Sequence, residues 1–90
     1  MGKANVDPAE LRRFAQELNR FNNELQTLLQ GIHTKMRNLE NTWRDQEQRK
    51  FSESFESTTK ALGNFLEVSH QHVSFLGKKA SLIEDYLKQR

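Results

Sequence analysis

Apolar residues recur along the first half of the chain as Leu11, Phe14, Leu18, Phe21, Leu25, Leu28, Ile32, Met36 and Leu39. Every step is three or four residues, the spacing that lines up one face of a helix. A helix over about residues 8–40 is therefore predicted. Its start is marked by Val6, Asp7, Pro8, Ala9, Glu10 and Leu11. Asp7 suits the cap, Pro8 stands where no amide partner is needed, and Glu10 is placed to reach back. Val6 and Leu11 are placed to close a hydrophobic staple across the first turn. The pattern lapses at Asn38, Asn41 and Asp45, residues whose side chains bond nearby backbone and favour helix ends. A turn over about 41–45 follows. Asp45 with Gln48 resembles a second capping box. Phe51, Phe55, Leu62, Leu66, Val73, Leu76, Ile83 and Leu87 then trace a second stripe, predicting a helix over about 46–88.

The expected fold is all-α: a single domain, residues 1–90, formed by two helices folded back as an antiparallel hairpin. Each rod spans roughly 50 Å or more at about 1.5 Å per residue. In the second helix, Val68, Phe75 and Leu82 form a row offset from the main seam, and in the first Ala15, Leu29 and Met36 lie beside it. One neighbouring helix cannot cover faces so wide. A second hairpin would, giving a four-helix bundle with crossing angles near ~20°. The residues expected at that interface are Leu18, Phe21, Leu25, Leu28, Val68, Phe75 and Leu82. Gly31, Gly63 and Gly77 fall inside the helices at about 1 kcal/mol each, either as tolerated surface glycines or as sites of close helix approach.

Composition agrees with long helices and adds exclusions. Glu, Gln, Lys, Arg and Leu dominate, with one proline. No cysteine is present, so disulfides and thiolate metal sites are ruled out. The net charge is only +2, and residues 1–45 and 46–90 each carry seven basic and six acidic side chains. Neither half is a basic arm, which argues against nucleic-acid binding. Lys and Arg are not gathered along one polar flank as membrane-surface helices prefer, and no run of apolar residues is long enough to span a bilayer. The polar start, Met1 to Asn5, lacks the apolar core of a cleaved secretory signal. The chain is expected to be made in the cytoplasm, and to leave it, if it does, without a cleaved signal peptide.

Candidate chemistry is sparse. His70 and His72 point about 200° apart on a helix and cannot share a metal as i, i+4 pairs do. His33 has no acid pair near it in sequence. Ser52, Ser54, Ser57, Thr58 and Thr59 cluster early in the second helix without a base or oxyanion loop, so they read as solvated surface. Glu53 and Glu56 lack the enclosed pocket that paired-carboxylate chemistry needs. No enzyme, metal or cofactor is expected. Trp43, the sole tryptophan, is different. It stands at the turn with Phe51 and Phe55 following, either to plug the end of the bundle or to anchor a partner.

A chain of this length, with two amphipathic helices and a tryptophan at the central turn, resembles the WXG family of small ESAT-like proteins associated with type VII secretion. The likeness covers nearly the whole chain. It implies a bacterial hairpin that pairs antiparallel, as a homodimer or with a related chain, acting as a substrate or adaptor of secretion machinery. It also implies a partner-binding end at Trp43, Asp45, Phe51 and Phe55. The family's turn reads Trp, any residue, Gly; here Trp43, Arg44, Asp45 keep the tryptophan and replace the glycine. Asp visits left-handed backbone more readily than most residues and caps helices, so the turn survives the exchange. Exported members carry Tyr followed four residues on by Asp or Glu, whereas Tyr86 here is followed by Arg90. The alternative reading is an intracellular coiled-coil scaffold subunit sharing the hairpin shape.

Overall fold

The computed structural model describes residues 6–89; Met1–Asn5 and Arg90 lie outside them. Two helices, α1 (Pro8–Glu40) and α2 (Gln46–Lys88), make an antiparallel hairpin, and no strand occurs among the described residues. The fold is all-α, as the apolar spacing requires.

Both helix starts are chemically defined. The Asp7 carboxylate accepts from the Ala9 amide at 2.9 Å, with Pro8 behind it as the first helical residue. Asp45 accepts from the Gln48 amide at 2.8 Å. The second capping box is only half formed, because the Gln48 side chain turns across the hairpin and donates to Glu40 Oε2 at 3.3 Å. Asp45 holds φ −89° and ψ −175°, and no described residue has a positive φ. The aspartate therefore serves as a cap on extended backbone, and the left-handed geometry allowed for in the sequence reading is not used.

The molecule measures 68 × 21 × 13 Å. A helix with its side chains is about 10–12 Å across. The hairpin is thus a single layer, and a single layer cannot enclose a core. What lies between the helices is mostly small or polar: Ala15, Asn22 and Met36 from α1, and Gln48, Thr59, Leu66, Ser69 and Ala80 from α2. The expected seam is thus only partly inside: Met36 and Leu66 are buried and Leu18, Leu25, Val73, Leu76 and Ile83 half-buried, while Phe14, Phe21 and Leu28 are exposed. Ala15, Asn22 and Met36 stand at heptad spacing and lead inward, while Phe14, Phe21 and Leu28 flank them. Rings that large do not fit between two closely packed helices, so they settle at the edge of the contact. Gly31, Gly63 and Gly77 are not needed for the approach, since a Cβ at each would meet nothing within 4 Å.

Near mid-length, Ser69 Oγ donates to Asn22 Oδ1 at 2.7 Å. Asn22 is fully buried, and its Nδ2 finds no partner. An unpaired buried amide costs about 1–3 kcal/mol, so this pair weakens the hairpin relative to an apolar filling of the same shape.

Candidate functional site

The turn is tightly bonded. Leu39 O accepts from the amides of Thr42 and Trp43 at 3.1 and 3.0 Å, and Asn38 O accepts from Asn41 at 3.1 Å. The Glu40 carboxylate receives Ser52 Oγ at 2.9 Å as well as the Gln48 amide group, tying the end of α1 to the first two turns of α2. The Ser/Thr cluster is accordingly not all solvated surface. Ser52 joins the helices, and Thr59 is buried with its hydroxyl donating to Glu56 O at 3.2 Å.

Above this polar clasp runs an aromatic ladder. Trp43 lies 5.7 Å from Phe51, Phe51 stacks on Phe55 at 5.8 Å, and the edge of His33 meets Phe55 at 6.2 Å. These spacings fall in the range where ring pairs add roughly 0.5–1.5 kcal/mol beyond burial. Trp43 and Phe55 are half-buried, and Phe51 is exposed. The structure therefore brings Trp43, Phe51 and Phe55 together as one surface, while Asp45 commits a carboxylate oxygen to its cap.

The expected pairing residues divide into two groups. Leu18 and Leu25 are half-buried inside the hairpin, whereas Phe21, Leu28, Val68, Phe75 and Leu82 are 48–69% exposed. Phe21 and Phe65 meet edge to face at 6.3 Å across the helices, so Phe65 shares one face of the hairpin with the α1 row, while Leu82 borders a groove with Arg12, Gly77 and Ser81. The sequence reading placed Phe14 in the α1 stripe without assigning it to the pairing residues, and it left out Phe65; the three-residue step from Phe65 to Val68 was the available signal. Leu82 aside, the groove it borders is lined by polar residues and Gly77. There Arg12 Nε and Nη2 clasp Glu84 at 2.9 and 2.7 Å, and Nη2 also donates to Ser81 Oγ at 2.9 Å. Hydrogen bonding from Arg12 holds the Glu84 carboxyl below its ordinary range, against an opposing effect of burial, with the charges of Arg12 and Lys88 adding to the lowering. The groove beside this pair, lined by Ala15, Gln16, Asn19, Val73 and Gly77 with Arg12, contains no acid–base pair. Among the described residues no group of acids and histidines is arranged to hold a metal, and no helix is long and apolar enough to cross a membrane.

The family model for proteins of about 100 residues carrying the WXG motif, WXG100, matches residues 3–86. The chain belongs to the WXG100 family. Proteins of this family are small, helical and associated with type VII secretion, and the family is not one of enzymes. Its members form dimers and associate with secretion machinery. Among solved structures, the hairpin is similar to the secreted protein EsxB from Bacillus anthracis str. Sterne, with a TM-score of 0.80, 21% identity, and 96% of this chain and 98% of that chain covered. Two single-substitution variants of the same EsxB superpose equally well, with TM-scores of 0.79 and 0.80 at 21% identity, covering 94% and 96% of this chain and 98% and 96% of theirs. At that identity the likeness establishes the WXG100 hairpin fold. No curated protein matches.

Proposed function

We propose that this WXG100 chain works by binding protein: it pairs with a second copy of itself as a four-helix bundle and serves a type VII-like secretion system as substrate or adaptor. The observation that carries the reading is the single-layer hairpin with an extensive apolar surface left exposed along both helices. Phe14, Phe75 and Leu82 are each more than half exposed on a molecule 13 Å thick. Leaving such side chains in water forgoes roughly 1.5–3 kcal/mol apiece. A second hairpin offers a face of the same kind and covers it. In this reading the turn end, with Trp43, Phe51 and Phe55, receives a further protein, and Asp45 shapes the turn that presents them. EsxB, the structural relative, is described as secreted, which supports export here.

A second reading is favoured by one observation. The position four residues after Tyr86 holds Arg90 in place of an acid, so the chain lacks that part of the export pattern and would act inside the cell as an adaptor. The test is to follow the protein in culture medium with the type VII-like ATPase intact and deleted. Appearance only with the intact ATPase is expected of a substrate. Retention in the cell in both strains overturns export and leaves the adaptor role.

A further inference from the structure

We infer that the two copies pair in a shifted antiparallel register, with the two-fold axis near Leu18 and Asn19, so that each turn projects past the end of its mate. This rests on the self-pairing proposed above and fixes its geometry. Two independent features of the exposed face lead to it.

The first is where the apolar rows stop. On α1 the outermost row runs Phe14, Phe21, Leu28 and then Lys35; on α2 it runs Leu82, Phe75, Val68 and then Ala61, Ser54 and Glu47, each step one heptad. Both rows are apolar toward the chain termini and turn small or polar toward the turn. The six large residues are 48–69% exposed. With roughly 200 Å² on each aromatic residue and somewhat less on Leu and Val, they present on the order of 700 Å². That approaches the ~800 Å² per partner of an ordinary stable interface. The half of the surface nearer the termini therefore holds most of the area an ordinary dimer buries.

The second feature is charge. Arg13, Glu17, Arg20 and Glu24 border the α1 row, and all four are exposed. Among the described residues the ion pair is Arg12 with Glu84, and none of these four takes part in one. Their signs are inverted about the point between Leu18 and Asn19. A two-fold axis there carries Arg13 onto the level of Glu24 in the second copy, and Glu17 onto that of Arg20. An isologous contact requires this kind of self-complementarity, since the same patch meets itself. An antiparallel two-fold lays α1 on α1 and α2 on α2, which brings this stretch of α1 level with its own copy.

The midpoint between Pro8 and Trp43 lies near Leu25, seven residues from the inferred axis. At about 1.5 Å per residue the axis is displaced ~10 Å, and each turn overhangs by ~20 Å. The ladder of Trp43, Phe51, Phe55 and His33 then remains uncovered in the dimer, twice over, at its two far ends.

The chain has no cysteine, so single cysteines report the axis directly: only residues close to a two-fold reach their own copy, because disulfides need Cα separations near 4.4–6.8 Å. Glu17→Cys is expected to form a disulfide-linked dimer at least about tenfold faster than Glu24→Cys under mild oxidation. The reverse order overturns the shifted register and leaves the pairing standing. Failure of both to link, in a chain that sediments as a dimer, also overturns the register. A native chain that stays monomeric at every concentration overturns the pairing itself. As a second measurement, Arg13→Glu should weaken self-association about fivefold, and adding Glu24→Arg should restore it; no recovery counts against the register.

Discussion

The two ends of the hairpin are held by different means. At the turn, contacts join residues close in sequence: Glu40 with Ser52, Asp45 with Gln48, Trp43 with Phe51, Phe51 with Phe55. At the other end, Arg12 reaches Ser81 and Glu84 across 69 and 72 residues. The turn end closes a short loop and is self-sufficient. The open end closes a long one with one partly exposed ion pair, and such pairs contribute little in water. A protein built this way has a tightly tied head and a pair of arms with few contacts of their own to hold them together.

The largest expected effect falls on the arms. Phe75→Glu places a charge in the centre of the exposed α2 row and should raise the dimer dissociation constant by more than ~100-fold, given the cost of burying an unpaired carboxylate. An unchanged dimer in sedimentation equilibrium would remove the distinction between the ends. At the head, Trp43→Ala deletes half-buried ring contacts and should cost about 1–2 kcal/mol in calorimetric unfolding, yet it should reduce recovery of native partners in pull-downs more than it reduces dimerisation. Equal losses in both would make Trp43 a structural plug alone. Asp45→Ala should cost about 1 kcal/mol through loss of the α2 cap, and Asp45→Asn only a few tenths; thermal melting of the two separates capping from charge. Gly63→Ala should gain up to about 1 kcal/mol, because its Cβ enters open space, and a gain accompanied by lost partner binding would reveal a close approach there.

The smallest effect concerns pH. The Glu84 carboxyl is lowered by Arg12, so its contribution is fully present above the ordinary carboxylate pKa and is lost as pH falls through the lowered folded value. Protection factors for hydrogen exchange in α2 beyond Ala80 should fall on acidification, while those of residues 46–55 hold. In Arg12→Met that acid response should vanish from the open end.

Much of this was legible in the residues. Steps of three and four placed the first helix and steps of three, four and seven the second, and Asp7, Pro8 and Asp45 placed their starts, because local spacing and capping act through the backbone nearby. The innermost row was harder to find. Ala15, Asn22, Thr59, Ser69 and Ala80 carry little hydrophobic signal, and they lie inside because two thin rods approach closely only over small side chains. The larger neighbours at the same spacing drew the reading to the flanks. The joining of Phe51 and Phe55 to Trp43 was visible as proximity in sequence, but His33 comes to them only through the fold-back of the chain.

The Asn22–Ser69 hydrogen bond bears on more than the interior. Sliding one helix along the other by a single turn would part the two groups and break the bond, which favours the setting observed. That setting holds Phe21 level with Phe65, and with them the two halves of a surface drawn from segments more than forty residues apart. The polar contact at the centre thereby acts as an alignment pin for recognition at the outside, and removing it in favour of a greasier filling would give a sturdier rod whose outer pattern no longer reads as one.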